Sequence, residues 1–120
     1  METGYEAGTA ILVAFVDGTT SLYYSTGGGM LGSASYRPLA QSSKALVAQA
    51  NQYLPALSEA RDNPLPKEGQ VSFTFLTYTG RSSIVADEKS LTEGIHPLSL
   101  LYSNAQETLR QLRLLVNNNR

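Results

Sequence analysis

The chain has 120 residues, of which 42% are apolar and 16% charged, and a net charge of −1, which excludes a disordered chain and predicts one globular domain. Nine basic residues against ten acidic ones leave no positive surplus for a phosphate backbone, so we expect no nucleic-acid partner. The absence of cysteine excludes disulfides, thiolate nucleophiles and cysteine-ligated metal sites.

The N-terminal segment carries no pattern of a targeting or membrane-spanning sequence. In "METGYEAGTAILVAFVDG" there is no basic n-region, and the apolar run at 10–16 is too short to cross a bilayer. The sequence therefore predicts a cytoplasmic protein without a membrane partner. We assign residues 1–120 to a single α+β domain and expect flexible ends at 1–8 and 117–120.

The first predicted element is a strand over residues 9–16, "TAILVAFV", a continuous β-branched and aromatic run. Asp17 and Gly18 favour a tight turn, and the following "TTSLYYS" predicts a second strand paired with the first. Because the first strand is apolar on both faces, both faces must be covered, one by helices and the other by a partner or a second layer. This pattern is the first indication of a homodimer.

The next stretch, "STGGGMLGS" at 25–33, holds four glycines and allows two interpretations. Gly27, Gly29 and Gly32 satisfy the G-x-G-x-x-G spacing of dinucleotide-binding loops, although the preceding strand belongs to a hairpin and the predicted helix begins only near Pro38. In the ligand interpretation, a phosphate binds Gly27, Gly28 and Gly29, with Arg37 and His96 at the helix starts as cations. In the structural interpretation, which we favour, the glycines let the chain turn from a strand into a helix.

Apolar periodicity predicts the remaining elements. It favours a helix over 38–57, and the charged, proline-containing segment 59–69 is typical of a loop. Alternation over 71–78 and the following "RSSIVAD" predict a second hairpin, and another apolar stripe predicts a helix from Pro97. We therefore expect an α+β fold, with an antiparallel four-stranded sheet made of two hairpins and two helices on one face, in the order ββαββα.

A short internal match accompanies this repeated element order. The segments "YRPL" at 36–39 and "IHPL" at 95–98 each open a predicted helix with an apolar residue, a basic residue, proline and leucine. An internal duplication explains the match, and so does chance, because only four positions are involved.

His96 is the only histidine, so a histidine metal cluster is excluded, and we expect no metal and no cofactor. One interpretation makes His96 a general base oriented by Asp87 or Glu93. The other makes it positional, a basic residue before the proline of a helix start, as Arg37 is in the first half. The serine motif G-x-S-x-G is absent, so nucleophilic catalysis has no support.

Aromatic and apolar residues supply the candidate interface. Tyr23 and Tyr24 lie on opposite faces of the second predicted strand, so one packs beneath a helix while the other faces solvent or a partner. Leu114 and Leu115 widen the apolar stripe of the last helix. The candidate interface residues are Val13, Phe15, Tyr23, Tyr24, Leu114 and Leu115.

The segments "DGTTSLYYSTGGG", "FTFLTYTG", "ADEKSLTEGIHPLS" and "QLRLL" together resemble a family of small bacterial proteins, over about residues 10–116. That resemblance implies no activity. In its order of elements the chain is also similar to the roadblock and longin group, small α+β domains that pair into dimers and act as scaffolds or regulators of small GTPases. Neither resemblance assigns a role to any residue.

The sequence thus favours a non-enzymatic interaction or regulatory module that forms a homodimer through its sheet face, a strand edge or the second predicted helix, and that also has a possible protein partner. The alternative is a sensor of a small ligand or nucleotide that uses the loop from Gly27 to Gly32. A third hypothesis is an enzyme that uses His96.

Overall fold

The computed structural model describes residues 1–32, 35–53, 65–78 and 80–118. Within them the chain forms an α+β fold with six strands and three helices. In chain order these are β1 (Glu2–Tyr5), β2 (Gly8–Ala14), β3 (Thr20–Tyr24), β4 (Gly29–Gly32), α1 (Arg37–Ala50), β5 (Gln70–Thr77), β6 (Gly80–Asp87), α2 (Glu88–Thr92) and α3 (Ser99–Asn118). The strands form one sheet of order β4-β3-β2-β1-β5-β6, and every neighbouring pair is antiparallel.

The predicted four-stranded ββαββα layout is wrong because two further short strands join the sheet. Strand β1 lies within residues 1–8, which the sequence analysis assigned to a flexible end, and pairs with β2 on one side and β5 on the other. Strand β4 lies within the glycine stretch, where the analysis expected only a turn leading into a helix. Both strands have four residues, too few for a clear alternation, so pairing with neighbours rather than intrinsic pattern defines them.

The two predicted hairpins are present as β2–β3 and β5–β6. In the first turn, the Asp17 carboxylate accepts a hydrogen bond from the Thr19 amide at 2.9 Å, a contact typical of a tight Asx turn. In β5, Val71 and Phe73 are buried on the face that carries the core, which agrees with the predicted alternation. Strand β6 pairs with β5 without interruption from Asp87 opposite Gln70 to Gly80 opposite Thr77.

Helices α1 and α3 pack on one face of the sheet, which we call the inner face. Both contribute apolar residues at helical spacing to the core, and they contact each other through Ser42 and Thr108, whose hydroxyl oxygens are 2.7 Å apart. Gly32 permits the close approach of the helices to β4, since an added Cβ would lie 2.9 Å from the side chain of Leu112. The fully buried core residues include Leu22, Leu39, Val71, Leu101 and Leu112.

The helix boundaries differ from the predicted ones. Helix α1 ends at Ala50 rather than Leu57, and residues 54–64, which include the end of the predicted helix and most of the predicted loop, lie outside the described residues. The connection predicted before the last helix contains the short helix α2, and α3 begins at Ser99. Arg37 is therefore the first residue of α1, whereas His96 precedes α3 by three residues. The matching segments "YRPL" and "IHPL" therefore lie at different positions relative to the starts of their helices.

The N-terminal amine is tied into the sheet beside β2. The Met1 ammonium donates a hydrogen bond to the Leu12 carbonyl at 2.8 Å, and the Leu12 amide donates to the Met1 carbonyl at 2.8 Å. Burial disfavours the charged amine and lowers its pKa from 8.0 to about 6, although the neighbouring Glu2 carboxylate opposes this shift. The folded chain therefore favours the neutral amine more than the unfolded chain does.

We expect the free energy of unfolding to rise between pH 6 and pH 8 for a chain that begins at Met1. Across this window the unfolded state binds the additional proton, so stability increases with pH, by about 2 kcal/mol for a pKa lowered from 8.0 to about 6. Urea denaturation at several pH values measures the slope. The control is the same chain with its amine acetylated, which should lose the slope, and an unchanged slope would contradict the assignment.

Candidate interaction surface

The face of the sheet opposite the helices, here called the outer face, is built from the residues that alternate with the core positions. One row of this face crosses the whole sheet. In that row Gly29 lies opposite Tyr23, Tyr23 opposite Ile11, Ile11 opposite Glu2, Glu2 opposite Ser72, and Ser72 opposite Val85. The row is apolar towards β3 and β2 and polar at β1 and β5.

Apolar side chains group on the part of the outer face formed by β2, β3 and β4. This group, the outer cluster, consists of Ile11, Val13, Phe15, Tyr23 and Leu31. Ile11 and Val13 are half-buried, whereas Phe15, Tyr23 and Leu31 expose 48%, 46% and 73% of their surface. Several exposed apolar side chains on one face of a sheet are typical of a site that contacts another molecule.

The middle of the outer face is covered by the chain itself. Pro66 and Lys67 run over β1 at Gly4, where an added Cβ would lie 2.6 Å from the carbonyl oxygen of Pro66. Thr9 and Ser72, which lie on the outer face near this crossing, are buried. The covering therefore divides the outer face, and the outer cluster lies on one side of it.

The other predicted interface residues lie elsewhere. Tyr24 is on the inner face and packs against the core, as does Leu115 on α3. Leu114 is exposed on α3, and α3 packs on the inner face of the sheet. The structure thus brings Val13, Phe15 and Tyr23 together and separates them from the remaining three.

The glycines of the stretch form a hairpin. Gly27 and Gly28 have φ values of 112° and 84°, which suit glycine, and they form the turn in which the Tyr24 amide donates to the Gly28 carbonyl. Gly29 is already paired with Tyr23 in the ladder. The Gly27 amide donates to the Tyr24 carbonyl within this turn, and the loop does not lead directly into the N-terminus of a helix, as a dinucleotide-binding loop does.

The proposed cations are not gathered at that turn. Strand β4 carries the chain away from Gly28 before α1 begins, so Arg37 lies beyond the opposite end of the strand. Arg37 and His96 lie near opposite ends of α3. Pro38, next to Arg37, lines the same groove as Gln111, and Gln111 lies roughly 18 Å along the helix axis from the start of α3, which His96 precedes. The structure does not form one phosphate site from these residues.

His96 makes local contacts that shape the start of α3. Its ring Nδ1 accepts a hydrogen bond from the Leu98 amide at 3.0 Å, and its own amide donates to the Ser99 hydroxyl at 3.1 Å. Among the described residues, neither Asp87 nor Glu93 is a hydrogen-bond partner of His96, and Asp87 accepts from the Ser90 hydroxyl instead. The arrangement is that of a helix-start residue.

A shallow groove lies between α1 and α3. Five of its seven lining residues are polar, and its volume is about 420 Å³. Glu107, at its rim, accepts hydrogen bonds from Arg110 and Gln111, and these lower the pKa of its carboxyl to about 2. Glu107 is therefore already paired with residues of its own helix, and its carboxylate is not a free charge for a ligand in the groove. The described residues hold no group of three or more potential metal ligands.

The sequence allowed a strand edge as a dimer contact but did not identify β6 as that edge. Strand β6 ends the sheet, and its position was not predictable because the strand order depends on β1. The only signal in the sequence was the pair of opposite charges, Arg81 and Asp87, near the two ends of "GRSSIVAD".

Comparisons with protein-family models, curated proteins and solved structures give no match. Within the described part of the chain, no helix combines the length and hydropathy needed to cross a bilayer.

We predict that His96→Ala destabilises the fold by about 1 kcal/mol, because the Leu98 amide loses its acceptor. His96→Asn should recover part of this loss, since an asparagine side chain accepts from the amide two residues ahead. Urea denaturation of the three proteins tests the prediction. Equal stability of all three would argue that the contact is unimportant.

We also expect nucleotides and inorganic phosphate at millimolar concentration to shift the melting temperature by less than about 1 °C. The reason is that the glycine turn, Arg37 and His96 are separated in the fold. A thermal-shift series on the wild type and Arg37→Ala tests this. A larger shift that disappears in Arg37→Ala would instead favour the ligand-sensor hypothesis.

Proposed function

We propose that the chain is a non-enzymatic interaction module that acts as a homodimer and associates through its sheet. The observation that carries the interaction role is the outer cluster, three of whose side chains, Phe15, Tyr23 and Leu31, remain exposed in the folded chain. Apolar surface that a fold leaves exposed favours association. Covering it lowers the free energy by about 25 cal/mol for each Å² removed from water.

The chemistry of the polar residues supports a binding role over a catalytic one. His96 holds the start of α3, Asp87 contacts Ser90, and Glu107 is paired with Arg110. Each of these groups has a local structural contact, and none of these contacts joins a nucleophile to a base. The second hypothesis, a nucleotide sensor, has less support, because the glycine turn, Arg37 and His96 do not lie together in the fold.

An interaction role for the outer face also explains why β2 is apolar on two sides. Leu12 faces the helices and is buried, whereas Ile11 and Val13 face outward and are only half-buried. A soluble strand with one solvated face normally alternates with polar residues there. In the proposed homodimer, the sheet as a whole is the associating element, and the outer cluster remains available to a further protein partner.

We expect the wild-type chain to be a dimer at micromolar concentration in size-exclusion chromatography with light scattering. The matched control is Leu114→Ser, which removes an exposed leucine from α3, on the other side of the molecule. It should leave the dimer intact if association uses the sheet. A wild-type monomer would contradict the proposal, and loss of the dimer in Leu114→Ser would transfer the contact to α3.

A further inference from the structure

Among the described strands, β6 ends the sheet and presents an unpaired backbone edge from Arg81 to Val85. The Glu88 amide donates to the Gly69 carbonyl, which extends the β5–β6 ladder and fixes its phase. In an antiparallel ladder alternate residues bond to the same neighbour, so the outward-facing amides and carbonyls of β6 belong to the residues between the bonded ones. These residues are Arg81, Ser83, Val85 and Asp87.

Within the described chain these outward groups have no hydrogen-bond partner, except for the Asp87 carbonyl, which accepts the first hydrogen bond of α2 because Asp87 is the N-cap of that helix. Of the usual devices that protect an edge strand, β6 has two charged side chains, Arg81 and Asp87, but it has neither proline nor lysine, and its ladder with β5 has no bulge. The opposite edge of the sheet differs: β4 has only four residues, and the phase set by the Tyr24–Gly28 bond leaves just Gly29 and Leu31 facing outward. The β6 edge is therefore the one suited to adding a strand.

The side chains of β6 are complementary to a second copy of β6. If two copies pair antiparallel about a twofold axis at Ile84, Arg81 of each copy lies opposite Asp87 of the other, and Ser83 lies opposite Val85. This register pairs every outward-facing residue directly with another. Ser83 and Val85 of the two copies exchange two backbone hydrogen bonds, and the Asp87 amide donates to the Arg81 carbonyl of the other copy. The register also converts the two isolated charges of the strand into two cross-strand ion pairs.

The same register places the two copies of Ile84 side by side on the inner face. Ile84 is half-buried and packs against the core of its own subunit. At the axis the two isoleucines form a non-hydrogen-bonded pair, in which cross-strand side chains approach most closely. Apolar contact at the centre and opposite charges at both ends thus specify a single alignment.

We propose that two copies of this chain form a homodimer by pairing their β6 strands antiparallel about Ile84, so that one sheet continues across both subunits. This inference rests on the proposed function and adds to it the contact and the register. A contact of this type is isologous and closes with two copies.

Charge exchange tests the register. Arg81→Asp alone places aspartate opposite Asp87 at both ends of the pair, and Asp87→Arg alone places arginine opposite Arg81. Each single variant should weaken the dimer by tenfold or more, on the order of 1.4 kcal/mol, as measured by sedimentation equilibrium. An equimolar mixture of the two variants should form a heterodimer, because each end then joins aspartate to arginine. The double variant should again form a homodimer.

Ser83→Pro gives a second test that involves no charge. The Ser83 amide faces outward, so proline there removes no bond to β5 while it removes a bond to the second copy. We expect a folded monomer, with the melting temperature showing that the fold is intact. Should Ser83→Pro fail to fold, the charge-exchange mixture still decides the question.

The outcomes separate this inference from the proposed function. Dimers in the wild type and in every β6 variant, or a mixture that stays monomeric, would overturn the β6 pairing and leave the homodimer standing. A monomeric double variant Tyr23→Ser, Leu31→Ser together with dimeric β6 variants would place the contact on the outer cluster and also overturn it. A monomeric wild type would overturn both.

Discussion

The whole sheet depends on the pairing of one four-residue strand, β1, with strands from both halves of the chain. Hairpin β2–β3 lies on one side of β1 and hairpin β5–β6 on the other, so the backbone bonds of Glu2–Tyr5 hold two otherwise separate ladders in one plane. A two-stranded ladder is only marginally stable by itself, whereas a continuous sheet offers one inner face on which α1 and α3 bury their apolar stripes. The buried Met1 amine and the chain crossing at Gly4 reinforce the same place.

Apolar periodicity predicted the elements that have a side-chain pattern of their own, and it missed the two strands that form only by pairing with neighbouring strands. The β2–β3 and β5–β6 hairpins, and one helix in each half, followed from apolar patterns that can be read in the sequence, although α1 and α3 have different bounds. Strand β1, "ETGY", has no comparable pattern, and in β4, "GMLG", two glycines hide the strand. Both are defined by cross-strand bonds that form only once the other strands are in place. Without β1 the strand order could not be predicted, and so neither could the free edge of β6.

The site residues illustrate the same division. Val13, Phe15 and Tyr23 share a face because residues two apart in a strand point the same way and cross-strand register joins β2 to β3, both of which the sequence favoured. The glycine spacing suggested phosphate binding, but spacing alone does not distinguish a β-turn from the start of a helix, and the backbone of Gly27 and Gly28 decides for the turn. His96 and Arg37 matched in local sequence, yet their helices begin at different offsets, so the likeness does not extend to position.

A pairing of two β6 edges would also explain how a sheet with two free ends avoids further growth. Joining two copies at β6 uses the long edge of each subunit in a single twofold contact, and among the described strands this leaves the two β4 strands as the sheet edges. Each β4 edge offers outward groups from Gly29 and Leu31 alone, and so short an edge is a poor template for another strand. Assembly by strand pairing therefore stops at two copies. The outer clusters next to β4 stay free for a protein that recognises side chains rather than a strand edge. Edge and face would then have separate tasks, one for assembly and one for recognition.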